Sequence, residues 1–199
     1  MTICCLDLEG VLVPEIWIEV SKKTKIPELR LTTRDVPDYD ILMRRRLKIL
    51  RQNGIRLRDV QDVISRIEPL PAAKKFLDTL RGLSPVVILS DTYYEFAGPL
   101  LQKLGMPVLF CNGLTVDGKG FISGYRLRQK NGKQKAVRAL QSAGFEVRAA
   151  GDSYNDILML KAAHRGVLFN PPKNIAREFP TFKVTRNYRQ LLASLRGGA

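Results

Sequence analysis

The chain has 199 residues, 45% apolar and 26% charged, which suits one sizeable globular core with room for a small inserted unit. No apolar run approaches the roughly 18 residues a membrane span needs, and Met1 leads almost directly into an apolar run with no signal region, so no membrane association and a cytoplasmic location are expected. The formal charge of +14 permits nonspecific binding to anions, but Lys and Arg are scattered and form no nucleic-acid motif, so a solvated basic surface and no specific nucleic acid are expected.

Ile3 to Leu12 is an apolar run broken by Asp7, Glu9 and Gly10, and it reads as a buried strand with Asp7 at its carboxyl end. In open α/β sheets the ligand sits at that end. Asp7 and Glu9 share a side only if the chain stays extended past Asp7, and Gly10 lets it turn away. Residues 14–69 then break the α/β rhythm. Pro14 to Trp17 opens one helix, residues 31–38 read as a loop, 39–52 form a strong helix ended by Asn53-Gly54, and 57–67 form a shorter one.

From Leu70 the chain alternates. Helices are expected over 71–83, 93–104, 132–143 and 155–163, with strands over 86–89, 108–111, 147–150 and 167–169. Turns at Asp117-Gly118 and Ser123-Gly124 suggest a small antiparallel flap over 114–128, and short helices are expected near 174–179 and 188–195. The pattern predicts an α/β fold, a Rossmann-like parallel sheet with helices on both faces. Residues 1–13 and 70–199 would form the core domain and residues 14–69 an inserted helical cap.

Cys4, Cys5 and Cys111 lack metal-ligand spacing and read as buried free thiols, which suits a reducing compartment. The single histidine, His164, excludes histidine-cluster metal sites and makes a Ser-His-Asp triad improbable; its plain reading is a helix-end cap. On the 39–52 helix, Arg46 falls in the middle of the apolar face made by Tyr39, Leu42, Met43, Leu47 and Leu50, while Arg44, Arg45, Lys48 and Arg51 point elsewhere. A buried-side arginine needs an anion: a bound carboxylate, or an acid of the same unit.

Asp7 alone reads as an edge carboxylate or a cap. Three later segments change that: Ile88-Leu89-Ser90-Asp91-Thr92, Asn131-Gly132-Lys133 and Ala150-Gly151-Asp152-Ser153-Tyr154-Asn155-Asp156. In type and order the four segments resemble the haloacid dehalogenase superfamily of phosphatases and phosphotransferases. The resemblance implies that Asp7 is a nucleophile forming an aspartyl phosphate, with Glu9 as general acid and then base. Most family phosphatases carry Asp at the second position; the longer Glu could slow water attack or favour another acceptor.

The resemblance further implies Mg2+ held by Asp7, the Glu9 carbonyl and Asp152, with Asp156 supporting the metal or fixing Lys133. Ser90 would bind phosphate, with weaker roles for Asp91 and Thr92, and Asn155 would donate to phosphate or substrate. Lys133 would neutralise the nucleophile and the transferring phosphate, although Lys130 and Lys135 lie close by. Ser90 could instead be a helix cap, and Asp152 with Asp156 a cap and a first-turn acid.

The first motif with Pro14-Glu15-Ile16-Trp17, the 39–50 helix, and Ser90 to Phe96 resemble phosphoserine phosphatases. They are most similar to the branch called bifunctional phosphoserine phosphatase and phosphoserine–homoserine phosphotransferase. That branch implies O-phospho-L-serine as substrate, water or L-homoserine as acceptor, Arg46 on the substrate carboxylate and Glu15 on its amino group. Glu15 could equally be a first-turn helix acid. A homodimer fits the branch, although no stretch marks an interface.

Overall fold

A computed structural model of the chain describes residues 1–32, 35–36 and 38–196. β1 (Thr2–Leu6) is buried from Ile3 onward because both of its faces are covered. Helical pieces follow: α1 (Ile16–Thr24), a 3-10 turn (Pro27–Arg30), α2 (Tyr39–Gln52) and α3 (Leu57–Ser65). Then follow α4 (Ala73–Arg81), β2 (Val86–Tyr93), α5 (Tyr94–Lys103), β3 (Val108–Val116) and β4 (Ile122–Arg126). The chain ends with α6 (Gly132–Ser142), β5 (Glu146–Gly151), α7 (Ile157–Ala162), β6 (Arg165–Phe169), α8 (Lys173–Glu178), β7 (Lys183–Thr185) and α9 (Tyr188–Arg196).

The strands form one sheet in the order β4-β3-β2-β1-β5-β6-β7, parallel except for β4. Successive side chains of β1 feed opposite layers. Cys4 and Leu6 join a cluster with Phe76, Leu100 and Leu191, whereas Ile3 and Cys5 join Val137, Leu160 and Ile175. Met43 and Leu50 of α2 and Val60 and Ile64 of α3 belong to the first cluster, so their apolar sides are continuous with that layer. The three thiols are free and buried. Among the described residues, no helix is long and apolar enough to cross a membrane.

Three details differ from the sequence reading. β2 does not end at Leu89 but runs on to Tyr93; its pairing with β3 lapses between Leu89 and Tyr93, so Ser90-Asp91-Thr92 lies in an irregular stretch. β7 escaped prediction because three residues carry no readable alternation. His164 is a tie to β5, its Nδ1 accepting from the Val147 amide at 3.0 Å. The loop read over 31–38 is described only in part, since Thr33, Arg34 and Pro37 lie outside the described residues.

Candidate active site

The strand order reverses at β1. The chain builds β2 and β3 on one side of it, then crosses through α6 to lay β5, β6 and β7 on the other. Such a switch point opens a crevice at the carboxyl ends of the strands. Asp7 is the first residue past β1 and Asp152 the first past β5, and the Asp7 amide donates to the Ala150 carbonyl at 2.9 Å. Ser90, buried on neighbouring β2, completes the row.

The chain does not stay extended beyond Asp7. Leu12 and Val13 amides return to the Leu8 carbonyl, and Gly10 turns at φ 76°. A side chain at residue 10 would bring its Cβ within 2.5 Å of the Asp152 carboxylate, so glycine is required twice over. The turn carries Glu9 to the start of α1, where its Oε2 accepts from the Ile16 amide at 2.8 Å. Burial, then the nearby Glu15 carboxylate, push the Glu9 carboxyl up to about 8.

Lys133, in the first turn of α6, reaches in beneath Asp7. Its Nζ lies 2.8 Å from Asp7 Oδ1 and 2.7 Å from Asp156 Oδ1, and 3.8 Å from Asp91. Lys130 and Lys135 are exposed. Asp156 is fully buried; its other oxygen accepts from the Asp152 and Ser153 amides at 3.0 and 3.1 Å. A Cβ on Gly151 would collide with the Asp156 carboxylate. Burial, then Asp156, push the Asp7 carboxyl well above its ordinary range despite Lys133. Burial works against the Lys133 charge, but Asp156 and Asp7 outweigh it and hold its pKa well above normal.

Carboxylate oxygens of Asp7, Asp152 and Asp156 come within 4.8 Å of one another. Three acids around a single ammonium leave excess negative charge in a buried site, and all the donors are hard oxygens. That chemistry fits a magnesium-type cation.

Asp7, Glu9, Glu15, Arg46, Ser90, Asp91, Thr92, Asp152 and Asn155 all border one cavity of about 300 Å³, while Lys133 and Asp156 lie behind it. Asn155 Nδ2 donates to Asp91 Oδ2 at 3.0 Å, and the Thr92 amide donates to Ser90 Oγ at 3.2 Å. Glu15 is half-buried just before α1. Arg46 is buried; its Nη2 donates to the Leu31 carbonyl at 2.6 Å, its guanidinium stacks over Trp17 at 4.4 Å, and its buried Nε has no partner among the described residues. No carboxylate among the described residues lies within ion-pair distance of it.

Sequence reasoning missed Trp17, Tyr39 and Tyr93 as cavity residues. The Tyr39 and Tyr93 hydroxyls meet at 2.6 Å, joining α2 to β2. Tyr39 was legible only as part of an apolar helix face, and no spacing rule links it to a strand 54 residues away.

Residues 1–164 match the family model described as haloacid dehalogenase-like hydrolase. Phosphoserine phosphatase ThrH of Pseudomonas aeruginosa is 53% identical over 191 residues, which is 96% of this chain and 93% of that one. A phosphoserine phosphatase of Pseudomonas syringae pv. tomato is 52% identical over 189 residues, 95% of this chain and 80% of that one. In fold, the crystal structure of a phosphoserine phosphatase in apo form superposes with a TM-score of 0.77 at 20% identity, covering 96% of this chain and 97% of that one. The chain belongs to the haloacid dehalogenase-like hydrolases, as a phosphoserine phosphatase-like member.

Proposed function

We propose that this chain is a magnesium-dependent phosphatase of O-phospho-L-serine that works through an aspartyl phosphate on Asp7 and also passes the phosphoryl group to L-homoserine. The carrying observation is the buried Asp7–Lys133–Asp156 chain of ion pairs beside a cavity that also holds Arg46, a buried cation with no carboxylate within ion-pair distance among the described residues. The 53% identity to a named phosphoserine phosphatase supports the same substrate.

An Asp7 oxygen attacks phosphorus, and the ester P–O bond to serine breaks. Glu9, pushed up to about 8, holds the proton that the departing serine oxygen takes. The same carboxylate then accepts a proton from the incoming hydroxyl, of water or homoserine, as that oxygen attacks phosphorus and the P–O bond to Asp7 breaks, freeing its carboxylate. Lys133 and Ser90 would offset the charge on the transferring oxygens. Asp7, Asp152 and the Glu9 carbonyl would hold Mg2+, with Asp156 fixing Lys133 and the 152–153 backbone; the ion supplies charge neutralisation and orients the phosphoryl group. Arg46 would meet the substrate carboxylate, and Glu15 its ammonium. Residues 14–69 would act as a cap that excludes bulk water during transfer. The three buried free thiols accord with a reducing, cytoplasmic setting.

The test is phosphate release from O-phospho-L-serine with magnesium, with and without L-homoserine, using Asp7→Asn as the blank. Asp7-dependent release, reduced by homoserine as O-phosphohomoserine forms, is expected. Release indifferent to homoserine removes the transferase half, and no Asp7-dependent release removes the substrate.

A further inference from the structure

Trp17 has no role in the chemistry above, yet it is the aromatic side chain over which the Arg46 guanidinium stacks. The guanidinium carbon sits 4.4 Å from the indole centroid. Trp17 is itself fixed edge-on against Phe96, with centroids 5.8 Å apart, and Phe96 packs edge-on against Tyr93. Both Trp17 and Arg46 are buried, and both border the cavity.

A guanidinium carries its donors in its plane, and an aromatic ring over its face leaves those donors free while blocking water. Two of the three nitrogens are engaged within the plane, Nη2 by the Leu31 carbonyl and Nη1 weakly by Met43 Sδ at 3.6 Å. Nε is left over, buried and without a partner among the described residues. Burying an unpaired donor on a cation is costly. The carbonyl and the sulfur take two of the five N–H donors and the indole covers one face, so the guanidinium plane is held with Nε–H among the donors left unengaged.

We propose that Trp17 is a positioning residue that holds this orientation, and so selects phosphorylated amino acids, which carry an α-carboxylate, over phosphate esters that lack one. The proposal rests on the reading of Arg46 as the carboxylate-binding group. It places substrate discrimination in α1 as well as α2, and it makes Trp17 part of the specificity of the site without contact to the reacting atoms.

Trp17 is the only tryptophan in the chain, so its emission reports the contact directly. Inactive Asp7→Asn protein with magnesium is titrated with O-phospho-L-serine and, separately, with O-phosphoethanolamine. A saturable change in emission with phosphoserine alone is expected, lost in the Asp7→Asn/Arg46→Met double variant. No carboxylate-dependent change overturns the proposal. In active protein, Trp17→Leu is expected to raise KM for phosphoserine by about 30-fold, the scale of a desolvated cation–π contact of ~2 kcal/mol. kcat/KM for phosphoethanolamine stays within about twofold, and Trp17→Phe, which keeps a ring, recovers most of the loss. Equal losses on both substrates would mean that Trp17 is only packing, and overturn the proposal. The two readings fail differently: a wild type that does not prefer phosphoserine to phosphoethanolamine overturns the substrate and with it the role of Trp17, whereas a wild-type preference that survives Trp17→Leu overturns the role of Trp17 alone.

Discussion

Lys133 and Arg46 are both buried cations beside the same cavity, with 6% and 5% of their surface exposed. Around Lys133 the chain supplies everything the charge requires: two carboxylates within 3 Å, Asp7 held by the Leu8 amide and Asp156 by the Asp152 and Ser153 amides, with Gly151 leaving Asp156 room. Around Arg46 it supplies a carbonyl, a thioether and an indole face, with Glu9 and Glu15 acting on it only from beyond ion-pair distance among the described residues. Burying a charge this way is expensive unless something pairs with it. On the proposed reading, the phosphoryl-transfer centre is complete within the chain except for a cation, while the recognition side would be completed by the substrate.

The largest expected effect falls on the first region. Asp7→Asn should lower turnover on the order of 10⁴-fold or more, because the nucleophile is removed. The loss should be the same for esters with and without a carboxylate; a loss confined to phosphoserine would contradict the division.

Stability should separate the two cations. Lys133→Met breaks two buried pairs and leaves three acids facing one another, which should cost about 3–5 kcal/mol and lower the melting midpoint by roughly 10 °C. Arg46→Met replaces an unmatched charge with an apolar side chain of similar reach, and should raise the ligand-free midpoint by a few degrees, ~1 kcal/mol. Thermal melts of the two variants that fall together would break the comparison.

Magnesium should stabilise the chain through the acid cluster alone. At a hundredfold excess over Kd it contributes about 2.7 kcal/mol, or roughly 5–10 °C. The shift should shrink in Asp152→Asn and persist in Arg46→Met; a shift unaffected by Asp152→Asn would move the metal elsewhere.

The smallest effect concerns pH. Glu9 is raised in the folded state from 4.5 to about 8, so the folded chain binds the extra proton between those values. The contribution of Glu9 to metal-free stability should thus be greatest below pH 4.5, fall as pH rises toward about 8, and then level off. Glu9→Gln should flatten part of that slope in melts across pH. An unchanged slope would remove Glu9 as its source.

The phosphoryl-transfer side was far more legible in sequence than the recognition side, and for a physical reason. Asp7, Ser90 and Asp152 each lie at or near the end of an apolar strand, so each announces itself by a local break in pattern. Lys133 opens a helix after Asn131-Gly132, and its neighbours Lys130 and Lys135 were told apart only by burial. Arg46 could be read because a helix repeats every 3.6 residues and a cation on an apolar stripe stands out. Trp17 over Arg46 and Tyr39 against Tyr93 are contacts between separate elements, which no local period encodes. β7 was hidden by its brevity, and the extension of β2 by an irregular pairing that no residue type marks.

The most direct measurement is the ratio of kcat/KM for O-phospho-L-serine to that for O-phosphoethanolamine, in wild type and in Arg46→Met. Truncating one partner of a buried charge pair costs about 2–5 kcal/mol, so wild type should prefer phosphoserine by on the order of 10² or more. The ratio should collapse toward one in Arg46→Met, entirely through phosphoserine, with phosphoethanolamine turnover retained. A ratio unchanged by the substitution, or equal losses on both substrates, would contradict the division between a self-sufficient transfer centre and a recognition side completed by substrate.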